Sequence, residues 1–109
     1  MPLTRDFKET VQARAHQDAA FREALLAEAA GAMLSGDTAV GKALLRDYIN
    51  ATIGFESLAS ETGIPAKSLM RMLSPKGNPR SGALFEIIAS LQKQDGIRLE
   101  VRPYGLATR

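Results

Sequence analysis

The 109-residue chain has no cysteine, no tryptophan and only one histidine, His16. Without cysteine it can form neither a disulfide bond nor a Cys-ligated zinc site, which suits a reducing cytoplasm. A lone histidine excludes a His cluster for a metal, and its neighbours Ala15 and Gln17 offer no support for a Ser-His-Asp triad. Since no Asp/Glu group has suitable metal-binding spacing either, we expect no metal, no cofactor, no small-molecule substrate and no enzymatic activity.

Long apolar runs are missing as well. No segment reaches the roughly 18 apolar residues that are needed to span a bilayer. The N-terminal sequence MPLTRDFKET has no apolar core of the kind found in signal peptides. We therefore expect a cytoplasmic protein that does not associate with a membrane.

The composition of the chain favours helices, because Ala, Leu, Arg, Glu and Gln dominate its first half. Apolar side chains recur at helical spacing, Asp18 and Asp37 are suitable N-caps, and Gly54 breaks the pattern. These features predict a first helix ending near residue 15 and helices over roughly 19–34, 38–53, 55–62, 65–73 and 81–94. Val40 and Phe85 are among the side chains expected to face inward. The predicted fold is mainly α, a bundle of five to six helices.

Residues 97–102 alternate between apolar and charged side chains, with Ile97, Leu99 and Val101 as the apolar members. This period of two predicts one short C-terminal β-strand. A lone strand leaves its backbone groups unpaired, so we expect these three residues to contact the same strand of a second subunit or an edge strand of another protein. The alternative is that the strand folds back on the last helix.

The distribution of charge is more informative than the net charge of +2. Residues 1–53 contain six Lys/Arg and seven Asp/Glu, whereas residues 54–109 contain eight Lys/Arg and five Asp/Glu. No acidic residue occurs between Glu61 and Glu86, and four basic residues lie there: Lys67, Arg71, Lys76 and Arg80. Such a basic window is typical of a surface that faces phosphates, although a solvated basic loop is the alternative.

The stretch FESLASETGIPAKSLMRML, residues 55–73, has the pattern of a helix-turn-helix. That motif needs a small residue where its two helices touch, a glycine for a turn with positive φ, an apolar residue after the turn, and apolar anchors on the second helix. A helical hairpin with a glycine turn is the alternative. The residues that fit these requirements are Ala59, Gly63, Ile64, Leu69 and Met72.

Residues 55–92 resemble the helix-turn-helix of the phage-repressor (Xre-like) family, in which five helices usually surround the motif. The segment KSLMRMLSPKGNPRSGALFEIIASLQ, followed by IRLEV, is more closely similar to the addiction-module antidote family, the antitoxins of small two-gene toxin–antitoxin systems. This similarity covers about residues 48–102, and its marker is the loop LSPKGNP, residues 73–79. The longer N-terminal part resembles a related branch of DNA-binding regulators often placed beside such toxins.

The resemblance implies that the helix over residues 65–73 lies in the major groove of double-stranded DNA. Family repressors carry polar side chains such as Gln where this chain has Ala66. The guanidinium of Arg71 would bond the O6 and N7 of guanine, and Asn78 would either donate to a phosphate or shape its loop. The implied base contacts are Ala66, Lys67, Met70 and Arg71, and the implied backbone contacts are Ser68, Lys76, Asn78, Arg80 and Ser81.

Together these features predict a sequence-specific transcriptional repressor that acts as a homodimer. By resemblance, it is also the antitoxin of a small mRNA-cleaving toxin, which is then a further partner. The alternative is a protein-interaction module that neutralises a toxin and binds little DNA itself. We divide the chain into an N-terminal helical extension (1–53), a helix-turn-helix DNA-binding region (54–95), and a C-terminal strand and tail (96–109).

Overall fold

The computed structural model of the chain describes residues 5–107, and side chains from residue 9 onward. This part of the chain forms six helices, α1 (Arg5–Gln17), α2 (Ala19–Leu34), α3 (Thr38–Ala51), α4 (Phe55–Thr62), α5 (Ala66–Met72) and α6 (Ser81–Asp95). The predicted mainly helical fold is confirmed. None of these helices is long and apolar enough to cross a membrane.

Two predicted N-caps begin helices. The carboxylate of Asp18 accepts a hydrogen bond from the N–H of Phe21 at 3.1 Å, and that of Asp37 accepts one from the N–H of Val40 at 3.3 Å. These bonds satisfy donors that the first turn of a helix otherwise leaves free. The caps separate three helices that pack together, with α3 in contact with α1, α2 and α4.

One cluster of buried apolar side chains runs through the molecule from α1 to α6. Its largest fully buried members are Leu26, Leu45, Tyr48, Ile49, Leu58, Leu69, Leu73, Ile87 and Leu91. Leu69 and Leu73 join α5 and its C-terminal end to this core, so the helices before residue 54 and those after it share apolar burial. The division of the chain at residues 53 and 95 stays a prediction.

Two side chains that we expected to face inward are exposed. Val40 is 46% exposed and Phe85 is 60% exposed. The buried stripe of α3 contains Lys42 together with Leu45 and Ile49, and we did not assign Lys42 to it because its side chain is charged. On α6 the buried residues are Ile87, Ile88 and Leu91, whereas Phe85, three residues before Ile88, lies at the exposed edge of this buried face.

The predicted C-terminal strand is wrong, because residues 97–107 form no strand and no other strand occurs in the described part of the chain to pair with them. The segment folds back on α6 instead. The N–H of Ile97 donates to the carbonyl of Gln92 at 3.0 Å, and the N–H of Leu99 donates to the side-chain oxygen of Gln92 at 2.7 Å. Ile97 and Leu99 pack against the core, whereas Val101 is 80% exposed. The alternation therefore marked an extended segment rather than a strand.

A cluster of polar side chains ties together the ends of four helices. Asp95, at the end of α6, accepts hydrogen bonds from the guanidinium of Arg22 at 3.0 Å and from the hydroxyl of Tyr48 at 3.1 Å. Arg22 also donates to the carbonyl of Ala15 at 2.9 Å, close to the end of α1. Because these groups satisfy one another, we assign the cluster a structural role.

This cluster predicts how stability depends on pH. Burial, then the charge of Asp95 and the hydrogen bond to it, raise the pKa of Tyr48 well above its usual value of about 10. Because folding raises the pKa of Tyr48, its protonated hydroxyl stabilises the folded state fully below about pH 10. This stabilisation is lost as the pH rises further. The free energy of unfolding, measured by urea titration from pH 8 to 11, should fall above pH 10. This fall in the free energy of unfolding should be smaller in Tyr48→Phe than in the parent. In Tyr104→Phe it should be as large as in the parent, because Tyr104 is exposed. Equal falls in both variants would contradict this assignment.

Candidate nucleic-acid interface

Helices α4 and α5 are joined by a turn of three residues, 63–65, and contact each other. Gly63 ends α4 in the left-handed conformation, with φ +77°, as the sequence predicted, and its N–H donates to the carbonyl of Ala59 at 2.8 Å. The hydroxyl of Thr62 accepts from the N–H of Ile64 at 3.2 Å and donates to the carbonyl of Leu58 at 2.9 Å. The turn is thus closed by its own hydrogen bonds. Ala59 and Ile64 are half-buried and pack against the core.

The two faces of α5 differ sharply. Leu69 is fully buried, and Ala66 and Met72 are half-buried against the core. The opposite face exposes Lys67, Met70 and Arg71, which lie within one turn of each other. Of the four expected base contacts, these three are therefore free to touch a partner, whereas Ala66 lies at the edge of the core. Ser68 is half-buried.

The loop after α5, residues 73–80, folds back against the end of that helix. The hydroxyl of Ser74 donates to the carbonyl of Arg71 at 2.7 Å, and the N–H of Gly77 donates to the carbonyl of Ser74 at 2.9 Å. Gly77 lies so close to α5 that an added Cβ would be 2.7 Å from the carbonyl carbon of Met72 and still closer to the carbonyl oxygens of Arg71 and Met72. Only glycine fits at this position.

Two cations of α3 hold the same loop. Lys42 is buried, with 6% of its surface exposed, and its Nζ donates to the carbonyl of Pro75 at 3.2 Å and to that of Gly77 at 2.6 Å. Arg46, one helical turn further on, donates to the carbonyl of Leu73. Loop carbonyls that the turn leaves unpaired thus receive charge-assisted hydrogen bonds from a helix far away in sequence.

The outer side of the loop carries the other basic residues. Lys76, Asn78 and Arg80 are exposed. Neither Lys76 nor Arg80 takes part in any of the ion pairs that join side chains within residues 9–107, and the same is true of Lys67 and Arg71. Four cations on α5 and on the loop that follows it are therefore available to an external anion.

A serine just before or at the start of a helix often caps it, but Ser81 does not cap α6. It is the first residue of α6, and the N-cap position is occupied by Arg80, whose side chain makes no capping bond. Arg80 has no acceptor atom to offer, so the N–H groups of the first turn lack a side-chain partner.

Sequence reasoning missed Thr62, Lys42 and Arg46. Thr62 directly precedes the turn glycine, Gly63, and no feature of the surrounding sequence indicates its role in the turn. For Lys42 a signal existed, because a lysine three and seven positions before apolar Leu45 and Ile49 lies on the buried stripe of α3. A charged residue at such a position indicates a polar partner in the core.

Comparison of the chain with protein-family models, with curated protein sequences and with solved structures found no match. The resemblance to phage repressors and antidote proteins therefore stays a prediction from the residues.

Proposed function

We propose that this protein is a sequence-specific DNA-binding transcriptional regulator, a repressor, in which α4 and α5 form a helix-turn-helix. The observation that carries the proposal is the set of four exposed cations on α5 and its following loop, which form no ion pair within residues 9–107, with no acidic residue between Glu61 and Glu86. A surface of this kind attracts a polyanion and presents a short helix to it.

In this proposal α5 enters the major groove with its exposed face toward the bases. Arg71 recognises guanine through two parallel hydrogen bonds, Lys67 makes a less directional contact, and Met70 contacts an apolar edge such as a thymine methyl. Ala66 and Ser68 lie at the margin of the interface, since both are half-buried. Loop residues Lys76, Asn78 and Arg80 and the N-terminal turn of α6 at Ser81 contact the phosphate backbone.

A homodimer is part of the proposal, because two recognition helices about 34 Å apart read two half-sites one turn of DNA apart. It is supported by exposed apolar side chains that need cover. Leu34, Phe85 and Val101 are 67%, 60% and 80% exposed and line one groove of about 370 Å³. Since the C-terminal segment is not a strand, the contact is one between apolar side chains rather than a shared sheet.

Arg71→Ala tests the proposed base contact. It should weaken binding to the preferred DNA by about 1–3 kcal/mol and relax selectivity at one base position, because a bidentate contact to guanine is worth that much. Selection of binding sites from a random duplex library, followed by titration of the selected duplex, measures both effects. Met70→Ala, on the same exposed face, is the matched control and should leave guanine selectivity unchanged. Identical preferences in the parent and in Arg71→Ala would remove Arg71 from the readout.

The second candidate function is a protein-interaction module that neutralises a toxin. The same apolar groove favours it, since such a surface also suits a protein partner. The antitoxin role derives from the resemblance of the chain to antidote proteins. A pull-down on the DNA upstream of its own gene, with and without the adjacent gene product, separates the two functions. Retention on the DNA in both cases supports the repressor, and retention of the gene product without DNA supports the interaction module.

A further inference from the structure

The two carbonyls that Lys42 binds belong to the residues on either side of Lys76. The Nζ of Lys42 lies 3.2 Å from the carbonyl oxygen of Pro75 and 2.6 Å from that of Gly77. When both neighbours are fixed in this way, the backbone of the residue between them has little freedom. The side chain of Lys76 is exposed, whereas Lys42 is buried.

The charge of Lys42 has no carboxylate partner among the described residues, whose ion pairs join other side chains. A buried cation without a counter-ion is costly, and carbonyl dipoles offset only part of that cost. Arg46 also donates to the carbonyl of Leu73, the C-cap residue of α5, where the peptide dipoles are negative. This arrangement concentrates positive charge beneath the loop that carries Lys76 and Arg80.

We propose that Lys42 is a positioning residue for nucleic-acid binding, which holds the backbone on both sides of Lys76 so that Lys76 meets a phosphate without reordering of the loop. The inference rests on the proposed function and extends it to a helix outside the helix-turn-helix. A contact that is ordered in advance loses less conformational entropy on binding.

The test is a double-mutant cycle between Lys42→Met and Lys76→Ala, read as binding to a fluorescent 30-base-pair duplex of random sequence at several salt concentrations. In the parent, Lys76→Ala should lower the salt slope by about one unit, as the loss of one phosphate contact does. In the Lys42→Met background the same change should have less than half of that effect. Hydrogen exchange at the amide of Gly77 should be at least about tenfold faster in Lys42→Met, because the carbonyls of Pro75 and Gly77 then lose their bond to Lys42 and the loop opens more often. Lys93→Met removes an exposed charge from α6 and is the matched control, with no change expected in exchange or coupling.

The outcomes separate this inference from the proposed function. If Lys76→Ala has its full effect in both backgrounds, Lys42 has a merely structural role and the inference is wrong. Unchanged exchange at Gly77 in Lys42→Met would overturn it as well. If the parent binds no duplex at 50 mM salt, the proposed function itself fails. Should Lys42→Met not fold, Lys42→Gln, which keeps a polar end but has neither the charge nor the length of lysine, takes its place in the cycle with the same expectations.

Discussion

Reversing the charges of the loop, with Lys76→Glu and Arg80→Glu together, should weaken binding to every DNA sequence on the order of fiftyfold at 0.1 M salt. Each phosphate contact contributes a salt slope of about −0.9, which corresponds to about an eightfold change in affinity per tenfold change in salt. The loss of two contacts should therefore lower the slope by about two units. Preference among sequences should stay as it is, because phosphate contacts carry no base information.

The matched control reverses two exposed cations outside the basic window, Lys93→Glu and Arg98→Glu, neither of which takes part in an ion pair within residues 9–107. Both doubly reversed proteins have the same net charge. Fluorescence anisotropy with one specific and one random duplex, from 50 to 300 mM salt, provides the affinities and slopes. If the two doubly reversed proteins lose affinity equally, binding depends on net charge alone and the loop has no special role.

Gly77→Ala should have a large effect on both folding and binding. Its Cβ has no room beside the backbone carbonyls of Arg71 and Met72, and backbone cannot move aside as a flexible side chain does. We expect a loss of about 1–3 kcal/mol in the free energy of unfolding, the usual cost of overpacking. DNA affinity should fall on the order of tenfold or more even where the protein is fully folded, because the loop is displaced from α5 and from Lys42.

Gly31→Ala is the control for this substitution. Gly31 lies in α2, an added Cβ there meets nothing within 4 Å, and alanine favours helix by about 1 kcal/mol. Urea denaturation should thus show Gly31→Ala at least as stable as the parent, with unchanged DNA affinity. A Gly77→Ala protein with parental stability and affinity would show that the loop is not packed against α5 as described.

Local sequence features predicted α2, α3 and α4 well because each of these helices begins or ends at a residue with a clear physical signal. Asp18 and Asp37 supply capping carboxylates, and Gly63 supplies a left-handed C-cap. Such signals act over three or four residues and require no knowledge of the rest of the fold. The exposed basic face of α5 follows from the same reasoning, since Lys67 and Arg71 are four residues apart and Leu69 faces the other way.

The errors arose where contacts that a periodic pattern does not describe decide the outcome. The alternation after residue 96 describes an extended segment equally well with or without a partner strand, and Gln92 of α6 satisfied the backbone N–H groups of Ile97 and Leu99. The stripe on α3 was displaced because Lys42 occupies a core position to reach a loop 33 residues away. The helical spacing of Lys42 from Leu45 and Ile49 could have indicated its burial, but nothing in the local sequence identifies the loop carbonyls as its partners.

The central claim is that this protein binds DNA and distinguishes among sequences. The most direct measurement is a titration of the parent protein into a duplex of its own upstream DNA and into a shuffled duplex of the same composition, at 50 and 200 mM salt. We predict tighter binding to the upstream duplex by a factor of about 10³ or more, and a marked weakening of both complexes with salt. Absence of binding to either duplex at 50 mM salt, or equal affinity for both, would contradict the account.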